Sequence, residues 1–264
     1  MSESPYTREF YEAQQDGSLR SARRVLPLVF DLVHPRSIVD VGCGVGTWLR
    51  AAQESGVELI LGIDGDYGDR SALMISPRDF LAHDLRRPIK LERTFDMAIC
   101  LEVAEHLPSD AAPVLVHSLV KLAPVILFSA AIPGQGGTSH VNEQWPDYWQ
   151  EIFANHGYRF CDPLRLALWS DSDVEWWYAQ NTFLVASDSV MGASSGLVAA
   201  SSLPRLIHPG LWASKVKDTE LHNSELECLR SGRGMGPSAL VRALPSALWR
   251  AVIRRLALVR SLVP

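Results

Sequence analysis

The stretch Ile38-Val39-Asp40-Val41-Gly42-Cys43-Gly44-Val45-Gly46-Thr47 constrains the fold more than any other part of the chain. A short apolar run, suited to a buried strand, leads into a loop with glycine at every second position and then into the start of a helix. Such a loop lets a ligand approach the backbone, because glycine has no side chain and tolerates unusual dihedrals. A dinucleotide fingerprint would need its third glycine at position 47, three after Gly44, but Thr47 stands there and the glycine is at 46. Nicotinamide binding is therefore disfavoured. A phosphate-loop NTPase is weaker still, since no Lys-Ser or Lys-Thr pair closes the loop.

Apolar runs alternate with amphipathic patterns from about Ser18 to Ser187, the signature of strands joined by crossover helices. Helix is predicted over Ser18–Val33, with Pro27 as a kink or restart, and over Thr47–Ser55, Ser109–Leu122 and Asn142–Asn155. Strands are predicted at Ser37–Val41, Glu58–Ile63, Phe80–His83, Phe95–Leu101, Val125–Ser129, Tyr158–Cys161 and Asn181–Ala186. The segments divide as an N-terminal cap (1–35), an α/β domain (36–188), a linker and weakly patterned segment (189–237) and a basic amphipathic helix (238–264). The 264 residues have a formal net charge of −5, which hides two unlike parts. All 30 acids lie at or before Glu227, and from Arg230 onward there are seven Arg and no acid. An acidic body lacks the Lys and Arg needed to neutralise a phosphate backbone, so nucleic acid is a disfavoured partner. The four cysteines form no CxxC pair, there is no signal-peptide pattern at the start, and no run of about 18 apolar residues occurs. A reduced cytoplasmic setting without a membrane span is expected.

Asp64 stands 22 residues after Gly42, at the end of the second strand, where an acid can accept both hydroxyls of a ribose. Asp84, in His83-Asp84-Leu85, ends the third strand, within reach of an adenine amine. Together they outline a nucleoside rather than a dinucleotide. At this point the chain resembles the class I S-adenosylmethionine-dependent methyltransferases, through Val39–Gly46, Gly62-Ile63-Asp64, His83-Asp84-Leu85 and Phe95–Glu102. The resemblance implies an α/β, Rossmann-like fold: a seven-stranded, mostly parallel sheet with a final antiparallel hairpin, here followed by a C-terminal helical extension. It places S-adenosyl-L-methionine across the carboxyl ends of the first strands. Gly42, Gly44 and Gly46 would face its methionine and ribose, Asp64 the ribose hydroxyls, and Asp84 or Leu85 the adenine. Asp40, Cys43 and Leu101 complete the expected cofactor-binding set.

A second constellation, Glu102-Val103-Ala104-Glu105-His106, follows the fourth strand, at the mouth of the site. The i, i+3, i+4 spacing puts all three polar side chains on one face if the segment is helical. Two carboxylates and an imidazole there suit a divalent cation, Mg²⁺, Mn²⁺ or Zn²⁺, with His140 as a fourth ligand. The spacing resembles the Glu-x-x-Glu-His of small-RNA 3′-end 2′-O-methyltransferases and of ubiquinone-biosynthesis O-methyltransferases. A cation on an acceptor hydroxyl would lower its pKa; His106, His140 or Glu105 could instead carry the catalytic proton. The same Glu-His pattern also occurs in methyltransferases without a metal, where the His packs or caps the next helix.

Five of the eight tryptophans, Trp145, Trp149, Trp169, Trp176 and Trp177, fall between 145 and 177. They could wall an acceptor pocket or pack a helix on the sheet. Asn142, Gln144 and Trp145, beside His140, are the expected substrate contacts. Tyr6, Phe10 and Tyr11 are placed to form a lid, or simply a surface helix. The expected function is methyl transfer to a hydroxyl of a small molecule, with a sugar-containing acceptor favoured by similarity to bacterial polysaccharide and secondary-metabolite methyltransferases. An RNA 3′-end 2′-O-methyltransferase and a non-catalytic cofactor-binding subunit are the alternatives. The basic tail would bind an anionic membrane surface, another subunit or its own acidic domain.

Overall fold

The computed structural model describes residues 8–66, 70–191 and 196–231. Residues 1–211 and 212–264 form separate units. The first contains a seven-stranded sheet flanked by helices on both faces. Its elements are α1 (Arg8–Val33), β1 (Ser37–Val41), α2 (Thr47–Glu54), β2 (Leu59–Asp64), β3 (Phe80–Ala82), β4 (Met97–Leu101), α3 (Ala112–Leu122), β5 (Val125–Ser129), α4 (Pro146–Ala154), β6 (Tyr158–Cys161), α5 (Arg165–Leu168), α6 (Trp176–Asn181) and β7 (Phe183–Ser187). The order across the sheet is β3-β2-β1-β4-β5-β7-β6. The pairs from β3 to β5 are parallel, whereas β7 runs antiparallel to both β5 and β6. The order reverses between β1 and β4, and the crevice at the carboxyl ends of those strands is where open α/β sheets hold ligands.

Burial on both faces explains why the strands read as near-continuous apolar runs. Ile38, Met97, Ile99, Leu127 and Leu184 join the core under α1 and α2. Their neighbours Val39, Ala98, Cys100, Phe128 and Val185 join the core under α3 and α4. In α1, burial of Ser21, Ala22, Val25, Leu26 and Val29 follows the helical period. Pro27 lies on the exposed face of a helix that continues through it. α1 is fastened by Arg23 to Glu54 of α2 at 2.9 Å and by Arg24 to Asp171 at 2.8 Å.

Several boundaries differ from the sequence expectation. Residues Asn142–Trp145 are not helical; α4 starts at Pro146, whose missing N–H and fixed φ suit a first helical position. Strand β4 begins at Met97 and β7 at Phe183, with Asn181 closing α6 instead. A helix, α7 (Pro209–Ser231), lies in the segment that reads as weakly patterned, and it is largely exposed from Trp212 to Cys228. The basic helix expected from about Ser238 to Val259, Tyr6, and the side chains of Phe10 and Tyr11 lie outside the described residues. Among the described residues no helix is long and apolar enough to cross a membrane.

Trp149 is 1% exposed and meets Phe128, in a ring cluster continued by Phe153, Phe160 and Phe183, with Phe128–Phe153 and Phe160–Phe183 centroids each 5.2 Å apart. This member of the tryptophan group is core. Phe153→Ala is expected to cost about 3–5 kcal/mol of stability in a denaturant titration; a loss of less than about 1 kcal/mol would place Phe153 outside the load shared by these rings.

Candidate active site

The loop after β1 lies at the reversal point, and its glycines serve different ends. Gly42, Gly44 and Gly46 have φ of 86°, 55° and 87°, left-handed values that side chains disfavour. A Cβ on Gly42 would come within 2.2 Å of Val103, and one on Gly46 within 3.0 Å of Ile75. Both positions are set by packing. At Gly44 a Cβ would meet nothing within 4 Å, so the space beyond it is open for a ligand. The amide of Gly44 donates to Asp64 Oδ2 at 2.7 Å and that of Gly65 to Oδ1 at 2.6 Å, so Asp64 fastens the loop as well as ending β2. A carboxylate accepts about four hydrogen bonds, so this anchoring is compatible with a ribose contact. Cys43 is buried and its Sγ approaches the Gly44 carbonyl at 3.6 Å; burial, then Asp40 and Asp64, push its thiol pKa up, out of nucleophilic range.

Asp84 is placed differently from expectation. Its carboxylate is forked onto Arg86 at 2.9 Å and faces Arg87 at 3.7 Å, which hold its pKa at about 2. Its side chain is thus committed to surface arginines, leaving buried Leu85 as the better of the two adenine-edge candidates. Leu101 is also buried, at the end of β4.

Buried acids crowd the same end of the sheet. Asp40 is 2% and Asp64 5% exposed, and Glu105 is fully enclosed. Burial, and then Asp64, raise the Asp40 pKa well above the carboxylate range. Burial, then Glu102, do the same to Glu105. Neither Glu105 oxygen has a hydrogen-bond partner of ordinary geometry; its own amide and that of Ala131 approach and partly oppose the effect of burial, and the Glu102 carboxyl adds to it.

Glu105, His106 and His140 each offer a ligand atom within 4.8 Å of the others. The two imidazoles meet edge to face at 4.8 Å. Burial, then His140, lower the His106 pKa, partly opposed by a hydrogen bond with the Ser139 backbone. Glu102 does not join this group. It leaves β4 with φ of 53°, and the following Ala104–His106 is one tight 3₁₀ turn rather than an α-helix, so the periodicity behind a shared face is broken. Its carboxylate instead accepts from Asn181 Nδ2 at 3.1 Å and Gln135 Nε2 at 3.0 Å. Burial raises its pKa despite these bonds.

The loop from β5 to α4 carries His140. Val141 and Asn142 donate backbone N–H groups to the Glu105 carbonyl at 2.9 and 3.0 Å, which brings His140 to Glu105. Asn142 is 3% exposed with Nδ2 unpartnered, while its Oδ1 accepts from Gln144 Nε2 at 3.0 Å. Trp145 is half-buried and one ring face carries the Arg205 guanidinium, 5.1 Å from the centroid. Sequence reasoning missed Gln135, Asn181 and Glu143. Gln135, Asn181 and Gln180 form a buried amide cluster, with Asn181 Nδ2 to Gln135 Oε1 at 2.9 Å. Gln180 and Asn181 carry only the signal of polarity just before an apolar strand, and Gln135, set among glycines in a loop, carries none.

This sheet order, the glycine turn at its reversal point and the acids at the strand ends define a nucleoside-cofactor α/β enzyme. A family model described as a methyltransferase domain matches residues 11–179, and the chain belongs to the class I S-adenosylmethionine-dependent methyltransferases. Among solved structures, Streptomyces venezuelae DesVI is similar at 13% identity with a TM-score of 0.52, over 67% of this chain and 95% of that one. An O-methyltransferase family protein from Burkholderia thailandensis is similar at 12% identity and a TM-score of 0.48, over 67% of this chain and 58% of that one. The methyltransferase domain of bacterial CtHen1-C is similar at 18% identity and a TM-score of 0.49, over 64% and 98% respectively. No curated protein matches significantly.

Gly44→Ala is expected to leave the fold in place but weaken S-adenosylmethionine binding roughly tenfold or more, about 1.4 kcal/mol or beyond, by calorimetric titration. Gly42→Ala should instead lower the thermal midpoint; equal effects of both on stability would contradict this division. An acid whose pKa is raised by folding costs nothing below its ordinary pKa and costs more as pH rises toward neutral. Asp40→Asn is therefore expected to raise the ligand-free midpoint at neutral pH, with the gain vanishing in acid, while weakening cofactor binding. A lower midpoint at neutral pH would count against it.

Proposed function

We propose that the chain moves the methyl group of S-adenosylmethionine to a hydroxyl of a sugar-containing small molecule, with Glu105, His106 and His140 holding a divalent cation beside the acceptor. The observation that carries this reading is Glu105: a fully enclosed carboxylate with no hydrogen bond of ordinary geometry to either oxygen, next to two imidazoles. A buried acid in that state is costly unless a cation or a proton neutralises it. Two nitrogens and an oxygen favour Zn²⁺ or Mn²⁺ over Mg²⁺, which prefers an all-oxygen set.

When bound, the cofactor supplies an electrophilic methyl on a positively charged sulfur. Gly44 leaves room for it, Asp64 accepts ribose hydroxyls, and Asp40, whose carboxyl burial holds toward the neutral form in the ligand-free site, ionises more readily beside a cationic group. When bound, a metal ion would lower the pKa of the acceptor hydroxyl. The chain's own part is positioning: the turn at Glu105 and the loop at His140 fix the reacting hydroxyl in line, and enclosure by Val103, Leu101 and Ala104 restricts water. Asn142, with its unpartnered amide, is placed to donate to the acceptor. The sugar preference is supported by these polar groups and by the acidic body, which opposes RNA. Among the described residues no cysteine is in a disulfide, which suits a reducing cytoplasm.

Labelled methyl transfer to a panel of sugar nucleotides, phenols and short RNAs, with and without a chelator, tests this. Transfer to a sugar hydroxyl is expected, lost with chelator and restored by Zn²⁺ or Mn²⁺. Glu105→Ala and His140→Ala should each reduce it by about 100-fold or more. Full activity in both variants would discard the metal, and transfer only to RNA would replace the acceptor class.

A further inference from the structure

The His140 imidazole is held by a device that neither the methyl transfer nor the cation requires as such. Its Nδ1 lies 2.9 Å from Glu143 Oε1, with both side chains mostly enclosed. The same Oε1 accepts the Gly136 amide at 2.7 Å, and Oε2 accepts the Gly134 amide at 2.7 Å. Backbone N–H groups can only donate, so both oxygens of Glu143 are in use as acceptors. An imidazole nitrogen that meets such an oxygen at this distance must bring a proton. On the other side of the ring, a Cβ on Gly137 would fall 2.3 Å from His140 Nε2, so the absence of a side chain there gives the imidazole its place. Ser139, immediately before it, is left-handed with φ of 62°, a strained conformation for serine that the loop sustains.

We propose that Glu143 is a positioning residue for His140: it fixes the ring as the Nδ1–H tautomer and leaves the lone pair of Nε2 for the Glu105–His106 site. An unsupported imidazole would interconvert between tautomers and rotate, so a base or ligand on it would be correctly presented only part of the time. Glu143 simultaneously ties the Gly134–Gly136 backbone to that ring, so this loop and the His are oriented together. This inference rests on His140 acting in the site as proposed above, but holds equally if that action is metal ligation or proton transfer.

The test is ¹⁵N–¹H correlation of the histidine rings in the metal-free full chain at mildly alkaline pH, with His140 assigned by its loss in His140→Gln. The wild-type protein is expected to show His140 as a single Nδ1–H tautomer and Glu143→Ala a mixture. A wild-type ring in the Nε2–H form or in a mixture overturns the proposal whether or not any variant folds, as does an unchanged single tautomer in folded Glu143→Ala. In parallel, Zn²⁺ affinity by competition with a chromophoric chelator is expected to fall about 10–100-fold in Glu143→Ala. Equal affinity in wild type and variant also overturns the proposal. If wild type binds no Zn²⁺, the metal reading fails and the tautomer result alone decides the role of Glu143.

Discussion

The turn between β1 and α2 is the constraint on which the rest of the site depends. Three left-handed residues in five leave those three positions little freedom to carry side chains, and the consequences spread outward. Gly42 admits Val103, which brings the segment after β4 against the loop; Gly44 reaches Asp64, which joins β2 to it. One backbone conformation thus sets the separation of three strand ends. The open volume beyond Gly44 is what remains when these contacts are made.

Around that volume the fold concentrates buried acids, against the ordinary preference to solvate them. Asp40, Asp64 and Glu105 come from different strand ends, and only the sheet order brings them together. Burial holds Asp40 and Glu105 toward their neutral forms in the ligand-free site, and a cationic ligand favours the charged ones. Stability given up at the reversal point is recovered in the two apolar layers, where aromatic rings on one face and α1 with α2 on the other carry little polar burden.

Much of this was legible along the chain because it depends on local rules. The first strand, the glycine turn and the positions of most strands follow from short apolar runs and from what glycine permits. The failures have local causes too. A helix over Asn142–Asn155 ignores Pro146, and a common face for Glu102, Glu105 and His106 assumes a helix where Glu102 turns left-handed. Trp149 differs from Trp145 only by where α4 rests: one packs under the sheet and the other meets Arg205. Spacing alone cannot separate these cases, since both residues lie in the same aromatic stretch.

The sequence by itself determined that the chain is an α/β protein with a nucleoside-shaped loop, because strand period, glycine conformations and the acid after the second strand are properties of short segments. Only the tertiary structure decided which acids share a site. Glu105 is drawn to His140 by backbone bonds from a loop 36 residues on, while Glu102, three residues away from it, is turned aside to Asn181. Glu143 acquires its place for the same reason: its partners, two glycine amides and a histidine, are assembled by the path of a loop, which no periodicity in the sequence encodes.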